Sequence, residues 1–229
     1  MSVQCQNLSL KNRRATVFDN LTFELPDGQI TALYGPTGSG KTALLLILAG
    51  LLKPSSGDIL LDGFDVRKTP RKARRQVGLG VIPEFSPLLS KLTLEEQLLL
   101  HARTLQVKPA KARVQAALTR FELEDCRRTM TDDLPAFVSA IAGLALALLN
   151  NPTTLLLDEP EHRLTSEERV KIWELLYALR QEGKCIIVST RYQEVAAACD
   201  KTLVIPLRKV VDKHEADAMG WDGTQTAFA

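Results

Sequence analysis

The sequence has few aromatic residues and no long apolar run. Only 5% of its 229 residues are Phe, Trp or Tyr. No stretch reaches the roughly 20 consecutive apolar residues that a membrane-spanning helix needs. The N-terminal MSVQCQNLSLKNRR also lacks the apolar segment of a secretory signal. If a membrane is involved, we expect a separate chain to supply the membrane span.

Cysteine pairs and a strong net charge are also missing. The four cysteines show no CxxC spacing, which argues against a zinc site or a disulfide framework and favours a reducing compartment. With 29 basic and 27 acidic side chains, the net charge of +2 gives no reason to expect a nucleic-acid partner. Residues 67–75 (RKTPRKARR) are locally basic. This pattern is more typical of a solvated loop and helix end than of a patch for phosphate or lipid headgroups.

Strand patterns and helix patterns alternate along most of the chain. Residues 3–10 and 15–25 predict an antiparallel pair of strands, and residues 29–34 predict a short buried strand. A leucine-rich helix is expected over 42–52, ended by Lys53 and Pro54, and a further strand over 58–61.

The second half of the sequence continues this alternation. Apolar spacing predicts helices over 93–131, and buried strands are expected at 154–157 and 185–189. Between those strands lies a helix over 166–182, with Ser166 as its N-cap and Gly183 at its end. Strands separated by helices predict an α/β fold with a parallel sheet.

A glycine-rich segment follows the strand at 29–34. GPTGSGKT at 35–42 fits the pattern GxxxxGK[ST] and stands between a strand and a helix, as a phosphate-binding loop does. Its backbone N–H groups and the helix N-terminus suit phosphate, Lys41 can reach the β and γ phosphates, and the Thr42 hydroxyl can ligate Mg²⁺. The predicted ATP-binding residues are Gly35, Pro36, Thr37, Gly38, Ser39, Gly40, Lys41, Thr42 and Ala43.

Two carboxylates follow the apolar strand at 154–157. Asp158 and Glu159 come at its carboxyl end, where ligands bind in α/β proteins. Asp158 can hold Mg²⁺ through its water shell, and Glu159 can polarise the water that attacks the γ phosphate. We therefore predict Thr42 and Asp158 as metal ligands and Glu159 as a catalytic residue.

These segments resemble the ATP-binding subunit of an ABC transporter over residues 3–211. The resemblance rests on GPTGSGKTALLLILAGLLKPSSGDILLDG and on NNPTTLLLDEP, which look like that family's P-loop and Walker B segments. It implies a P-loop NTPase core over 1–215 with an antiparallel β subdomain at 1–30 and 57–67. It also implies an inserted helical subdomain at about 88–150, with 216–229 as a loosely ordered tail.

The resemblance further implies a head-to-tail dimer that binds ATP and Mg²⁺ between its subunits and drives membrane-spanning partners. Such a chain is cytoplasmic and peripheral on the inner face of the cell membrane, held there by its partner subunits. The predicted partners are thus a second ATP-binding subunit and membrane-spanning transporter subunits.

Several positions depart from the family pattern. Leu134, Pro135, Ala136, Phe137 and Val138 stand where the family has LSGGQ, so a serine hydroxyl and two glycines are missing. Other departures concern Arg191 in place of the phosphate-sensing histidine and Glu84 in place of the coupling glutamine, where a carboxylate can still ligate Mg²⁺. No adenine-stacking aromatic occurs at 11–14, and the loop at 161–165 lacks its closing Asp.

The departures predict that ATP binding is kept while hydrolysis is impaired. Our hypothesis is a degenerate subunit that pairs with a more complete ATPase in a heterodimer, with Glu159 and Arg191 as its catalytic candidates. One alternative is a conventional homodimeric ATPase. Another is a soluble nucleotide-sensing regulatory protein, which the altered residue Glu84 supports.

Overall fold

The structure, a computed structural model, describes residues 2–11, 16–83 and 85–205. The predicted metal ligand Glu84 and the predicted tail at 216–229 lie outside these residues. The predicted subdomain boundaries stay a prediction. Among the helices described, none combines the length and the apolar character that crossing a bilayer requires.

Nine strands of the described residues form two sheets. The antiparallel sheet, in spatial order β2-β1-β4-β5, consists of β1 (Ser2–Lys11), β2 (Thr16–Pro26), β4 (Ser56–Leu61) and β5 (Phe64–Asp65). The second sheet has the order β6-β7-β8-β3-β9 and is parallel throughout. Its strands are β3 (Ile30–Tyr34), β6 (Val77–Leu79), β7 (Thr154–Asp158), β8 (Cys185–Thr190) and β9 (Lys201–Val204).

Seven α-helices of the described chain flank or extend from the sheets. They are α1 (Lys41–Leu48), α2 (Pro70–Gln76), α3 (Leu94–Thr104), α4 (Ala110–Arg120), α5 (Ala136–Leu148), α6 (Ser166–Gln181) and α7 (Gln193–Ala197). A 3₁₀ turn at Thr131–Asp133 precedes α5. The predicted α/β fold class, with an antiparallel sheet and an inserted helical segment, is confirmed.

The parallel sheet separates two hydrophobic cores. Successive residues of a strand point to opposite faces, so Leu155 and Leu157 pack with α5 and α6, whereas Leu156 packs with α1 and the antiparallel sheet. Because both faces are covered, β7 and β8 are buried along nearly their whole length and have apolar centres. Because β3, β7 and β8 pair in parallel, their carboxyl ends lie at one edge of the sheet.

Helix α1 is shorter than the sequence predicts. It ends at Leu48 and not at residue 52, because Gly50 takes a left-handed conformation at φ 65°. The N–H groups of Gly50 and Leu51 donate to the carbonyls of Ile47 and Leu46 at 2.9 and 2.8 Å. This pair of bonds is a Schellman motif, in which glycine ends a helix before any proline is needed.

The N-cap of α6 is Thr165, not the predicted Ser166. The Thr165 hydroxyl accepts the Glu168 N–H at 3.3 Å, and the Glu168 carboxylate accepts the Thr165 N–H at 2.8 Å. This reciprocal pair forms a capping box. The predicted Gly183 does follow the helix, with φ 85°.

The capping box gives a direct test of these assignments. Thr165→Ala removes the cap and should destabilise the protein by about 1 kcal/mol, lowering the melting temperature by about 2–4 °C for a chain of this size. The matched control Ser166→Ala should change stability by less than about 0.5 kcal/mol. Thermal unfolding of both variants measures this, and a larger loss for Ser166→Ala would contradict the assignment.

Candidate functional site

The glycine-rich segment forms a loop between the end of β3 and the start of α1. Gly38 and Gly40 adopt left-handed conformations at φ 83° and 100°. A Cβ on Gly40 would also lie 2.5 Å from Val17 Cγ1 of the antiparallel sheet. Both positions therefore need glycine, and the loop wraps closely enough to turn backbone N–H groups towards a bound anion.

Lys41 begins α1 with its side chain folded under the loop. Its Nζ donates to the Gly35 carbonyl at 2.7 Å and to the Pro36 carbonyl at 3.0 Å, and the residue is only 5% exposed. Burial lowers the pKa of Lys41, while the nearby charges of Glu159 and Asp158 oppose that shift. An ammonium carries three donors, so the described residues leave one N–H for a ligand.

The buried hydroxyl of Ser39 is a second feature of the loop that suits a bound anion. The residue is fully buried, and its Oγ has no hydrogen-bond partner among the described residues. An unpaired buried hydroxyl costs about 1–3 kcal/mol. The unpaired Ser39 hydroxyl and the spare Lys41 donor both suit phosphate oxygens.

Asp158 joins the loop helix to two strands of the parallel sheet. Its Oδ2 accepts the Thr42 hydroxyl at 2.8 Å, and its Oδ1 accepts a very short hydrogen bond from the Ser189 hydroxyl of β8. Thr42 and Asp158 were predicted together as metal ligands, and the structure places them in direct contact.

Glu159 follows Asp158 in a strained conformation. Its φ of 43° lies in the left-handed region, which residues other than glycine seldom adopt and which often marks functional sites. The Glu159 N–H donates to Ser189 Oγ at 3.0 Å, and its Oε2 lies 4.0 Å from His162 Nδ1. Ser189 thus holds both carboxylate residues in place.

Arg191, the second catalytic candidate, makes its closest described contacts with Tyr192. Its Nη2 donates to the Tyr192 hydroxyl at 3.2 Å, and its guanidinium lies 5.2 Å from the Tyr192 ring centre. The hydrogen bond to Tyr192 raises the pKa of Arg191, and the charge of Glu159 adds to this shift. Within the described residues Arg191 makes no ion pair with a carboxylate, although its charge interacts with those of Glu159 and Lys41.

Glu161 is a buried carboxyl group that the sequence did not single out. It is fully buried, its Oε1 accepts the Thr190 hydroxyl at 2.6 Å, and its Oε2 has no partner within the described chain. Thr190 Oγ1 in turn accepts the Tyr192 N–H at 3.1 Å. Burial raises the pKa of Glu161, so the carboxyl group is held towards its neutral form.

The segment at 134–138 leads into the first turn of α5. Pro135 is the N-cap and Ala136 the first helical residue, and both are exposed. Phe137 and Val138 are half-buried against the core. The helix starts without a side-chain cap or an acidic first turn. Residues 134–138 therefore offer backbone N–H groups but no side-chain hydroxyl, and the Ser139 hydroxyl in the same turn donates to the Leu134 carbonyl at 3.4 Å.

Sequence reasoning missed Ser189, Thr190 and Glu161. Ser189 and Thr190 form the end of β8, which pairs with both β3 and β7. A usable signal was present, because polar residues that end a buried parallel strand lie at the ligand-binding edge. Glu161 gave no comparable signal, since an acid three residues beyond a strand is common in solvent-exposed loops.

The residues present fit a phosphate group with a magnesium ion. No group of three or more His, Cys, Asp or Glu side chains that could hold a metal occurs among residues 2–11, 16–83 and 85–205. Mg²⁺ keeps several waters and binds through one or two protein oxygens together with phosphates. Thr42 and Asp158, which lie in contact, supply the one or two protein oxygens that a magnesium ion bound to phosphate needs.

Comparison with known proteins identifies the family. A model of the family described as ABC transporter matches residues 18–162, more than half of the chain. The chain therefore belongs to the ABC transporter family, as one of its ATP-binding proteins, and has that family's ATP-binding fold.

Two relatives illustrate the similarity. The Nod factor export ATP-binding protein I of Burkholderia thailandensis is 38% identical over 192 residues, which cover 82% of this chain and 62% of that protein. An uncharacterized ABC transporter ATP-binding protein of Mycobacterium tuberculosis is 32% identical over 211 residues, covering 88% of this chain and 85% of the relative. The chain thus spans less than two thirds of the Burkholderia relative.

A solved structure supports the same conclusion. A dimeric bacterial ABC transporter cassette, MJ0796, superposes with a TM-score of 0.78 and 25% identity, over 89% of this chain and 94% of that one. The predicted fold is therefore confirmed in its family as well as in its class.

The buried carboxyl group of Glu161 predicts an unusual pH dependence. Because its pKa is raised on folding, the unfolded chain loses this proton first as pH rises, and the stability linked to the group is lost between its ordinary pKa and the raised value. Glu161→Gln keeps an acceptor for Thr190 but has no proton to lose. The melting temperature of this variant should therefore rise relative to that of the wild type as the pH increases from about 4.5, the ordinary glutamate value, towards neutral pH.

Thermal melts across that range test the prediction. The control is Glu174→Gln, which removes an exposed carboxylate of α6. Parallel melting curves for the wild type and Glu161→Gln at every pH would contradict the raised pKa.

Proposed function

We propose that this chain binds ATP with Mg²⁺ and is the degenerate, weakly hydrolysing member of a heterodimeric ATPase pair in an ABC transporter. The proposal rests on a contrast between two segments of the chain. The loop at 35–43 retains its glycines, its lysine and its hydroxyl, whereas the segment at 134–138 presents proline and apolar side chains.

ATP would be held by the loop and the start of α1. The spare N–H of Lys41 and the unpaired hydroxyl of Ser39 point to phosphate oxygens as their partners. The backbone N–H groups that begin α1 add the partial positive charge of a helix N-terminus. The predicted binding residues from Gly35 to Ala43 form this one continuous segment.

Thr42 and Asp158 would hold the metal ion. Mg²⁺, when bound, neutralises charge on the β and γ phosphates. Thr42 Oγ1 would offer a direct ligand once its proton turns away from Asp158, and Asp158 would orient metal-bound water. Ser189 keeps the Asp158 carboxylate in place during that change.

Glu159 would act as the general base. Its carboxylate is a quarter exposed, which allows it to reach a water molecule, and its backbone is fixed by Ser189. Glu159 is thus the residue that keeps a residual hydrolytic activity possible.

Two features would weaken that hydrolysis. Pro135 has no N–H, and Ala136, Phe137 and Val138 give no side-chain hydrogen bond to a phosphate bound by another subunit. Arg191 stacks on Tyr192 and would have to leave that ring before it could bind phosphate. Each feature removes stabilisation of the transition state while leaving the phosphate loop intact.

The partners follow from family membership. We expect a second, more complete ATP-binding subunit and membrane-spanning transporter subunits, which would hold the chain at the inner face of the cell membrane. One observation supports the alternative of a homodimeric ATPase, namely that Glu159 is retained next to Asp158. The dimeric cassette MJ0796 supports dimer formation without deciding between like and unlike subunits.

Loss of Lys41 should reduce nucleotide affinity. Lys41→Ala removes a charged donor, worth about 1.5–3 kcal/mol, and so should weaken MgATP binding about ten- to hundredfold. Lys111→Ala, on the exposed face of α4, is the control and should bind as the wild type does. Equilibrium binding of a fluorescent ATP analogue measures both, and equal affinities would contradict the assigned site.

Restoring the missing groups at 135–137 should restore hydrolysis. The triple variant Pro135→Ser, Ala136→Gly, Phe137→Gly supplies a hydroxyl and two flexible glycines at the start of α5. Its steady-state ATPase rate should exceed that of the wild-type chain by about 100- to 1,000-fold, the range expected for one recovered hydrogen-bond donor to the transition state.

The control for this variant is the same triple change combined with Glu159→Gln. It should return the ATPase rate to background if Glu159 is the base. Brisk hydrolysis by the unmodified wild-type chain alone would contradict the degenerate subunit and favour the homodimeric alternative.

A further inference from the structure

Arg191 directly follows a backbone contact to the phosphate loop. The N–H of Gly35, the first residue of the loop, donates to the Thr190 carbonyl at 3.3 Å. Thr190 ends β8, which pairs in parallel with β3, the strand that leads into the loop. The side chain of Arg191 is exposed and has several rotatable bonds. It can therefore take more than one direction from a backbone that is fixed beside the loop.

The charges of the nucleotide site already act on Arg191. Burial lowers the pKa of Lys41, the charges of Glu159 and Asp158 oppose that shift, and the charge of Arg191 adds to it. Since such interactions weaken with distance, the guanidinium lies close enough to influence the ammonium group that is expected to bind phosphate. A bound triphosphate would bring further negative charge to the same place.

The side chain of Tyr192 holds the Arg191 guanidinium by two contacts. Arg191 Nη2 donates to the Tyr192 hydroxyl at 3.2 Å, and the guanidinium carbon lies 5.2 Å from the ring centre. The second distance is within the range of a cation–π interaction. Both contacts use the same donor groups that a phosphate oxygen would use. Tyr192 and a bound phosphate group therefore compete for one guanidinium.

Tyr192 is itself fixed in place by its neighbours. Its N–H donates to Thr190 Oγ1 at 3.1 Å, and the Thr190 hydroxyl donates to Glu161 Oε1 at 2.6 Å. Glu161 is fully buried, so this turn is tied to the interior of the protein. The Arg169 guanidinium also lies 5.5 Å from the Tyr192 ring centre. Because the ring and its backbone are both held, Tyr192 cannot simply follow Arg191 towards a ligand.

The contact between Arg191 and Tyr192 is weak enough to be displaced. An exposed cation–π contact and a hydrogen bond each shift an equilibrium by about two- to fivefold. A bond from arginine to phosphate is charge-assisted and often bidentate, and is therefore stronger. A phosphate group within reach can draw the guanidinium away, but its apparent affinity is reduced by the fraction of Arg191 that Tyr192 holds.

We infer that Tyr192 determines how strongly the site discriminates between a nucleoside triphosphate and a diphosphate. It holds the Arg191 guanidinium on its ring and hydroxyl, so that a γ phosphate has to draw the guanidinium away. The β phosphate is expected to be held by the loop backbone and Lys41, so a diphosphate makes no demand on Arg191. The inference rests on the proposed function, in which the loop binds MgATP and Arg191 can bind phosphate.

Equilibrium binding to variants of the full chain tests the inference, with a non-hydrolysable ATP analogue and ADP as probes, each with Mg²⁺. Tyr192→Phe removes the hydroxyl and keeps the ring, and should tighten binding of the ATP analogue about two- to fivefold. Tyr192→Leu removes both contacts and should tighten it about 4- to 25-fold, the product of the two contributions. Affinity for ADP should change by less than about twofold in both variants.

Two comparisons make the result specific. Tyr177→Phe removes the hydroxyl of another half-buried tyrosine, which donates to the Ala198 carbonyl at 3.3 Å, and should leave both affinities unchanged. In an Arg191→Gln background, Tyr192→Phe should no longer alter binding of the ATP analogue, because the group that Tyr192 holds is gone. Thermal unfolding checks that each variant is folded.

Three results would overturn the inference. The first is equal affinity of the wild type and Tyr192→Leu for the ATP analogue. The second is a parallel gain in affinity for ADP, which would indicate a general loosening of the site. The third is an undiminished effect of Tyr192→Phe in the Arg191→Gln background. Failure of the proposed function is recognised separately, because the wild-type chain would then bind neither nucleotide, which would overturn both.

Discussion

The Asp158 carboxylate is the connection on which the candidate site depends. It accepts hydroxyl groups from Thr42 on α1 and from Ser189 on β8, while its own backbone ends β7. Hydrogen bonds to a charged group contribute about 1.5–3 kcal/mol each when partly buried. One side chain thus ties the loop helix and two central strands into a single arrangement, and Ser189 extends that arrangement to Glu159.

The candidate site contains groups that are destabilising when no ligand is bound. Among the described residues, the buried Ser39 hydroxyl has no hydrogen-bond partner, and Glu159 has a left-handed backbone. Both cost free energy in the protein without ligand, and both are recovered or used when a phosphate group and an attacking water are present. Equivalent polar side chains are absent at Pro135 and Ala136. Under the proposed function, we therefore expect the chain to bind nucleotide but to contribute little to a site on another subunit.

Much of this architecture could be predicted because it follows from local pattern. The alternation of strands and helices, the phosphate loop and the pair Asp158 and Glu159 are all readable from spacing along the chain. The early end of α1 was missed because a left-handed glycine at residue 50 stops a helix whose leucine pattern continues. The Thr165 cap was missed because a neighbouring serine is an equally good capping residue by composition.

Other parts of the site depend on contacts between distant residues. Ser189 meets Asp158 only because β8 pairs beside β7, and Glu161 meets Thr190 across the same edge. No local pattern shows that a glutamate in a loop is fully buried, or that Arg191 stacks on Tyr192.

The central claim is that this chain binds MgATP but hydrolyses it poorly by itself. Measuring MgATP affinity and steady-state turnover on one preparation, first alone and then with the ATP-binding chain that co-purifies with it, tests this most directly. We predict clear binding with near-background turnover alone, and turnover that appears only in the mixed assembly. Rapid hydrolysis by the isolated chain, or no measurable ATP binding, would contradict the account.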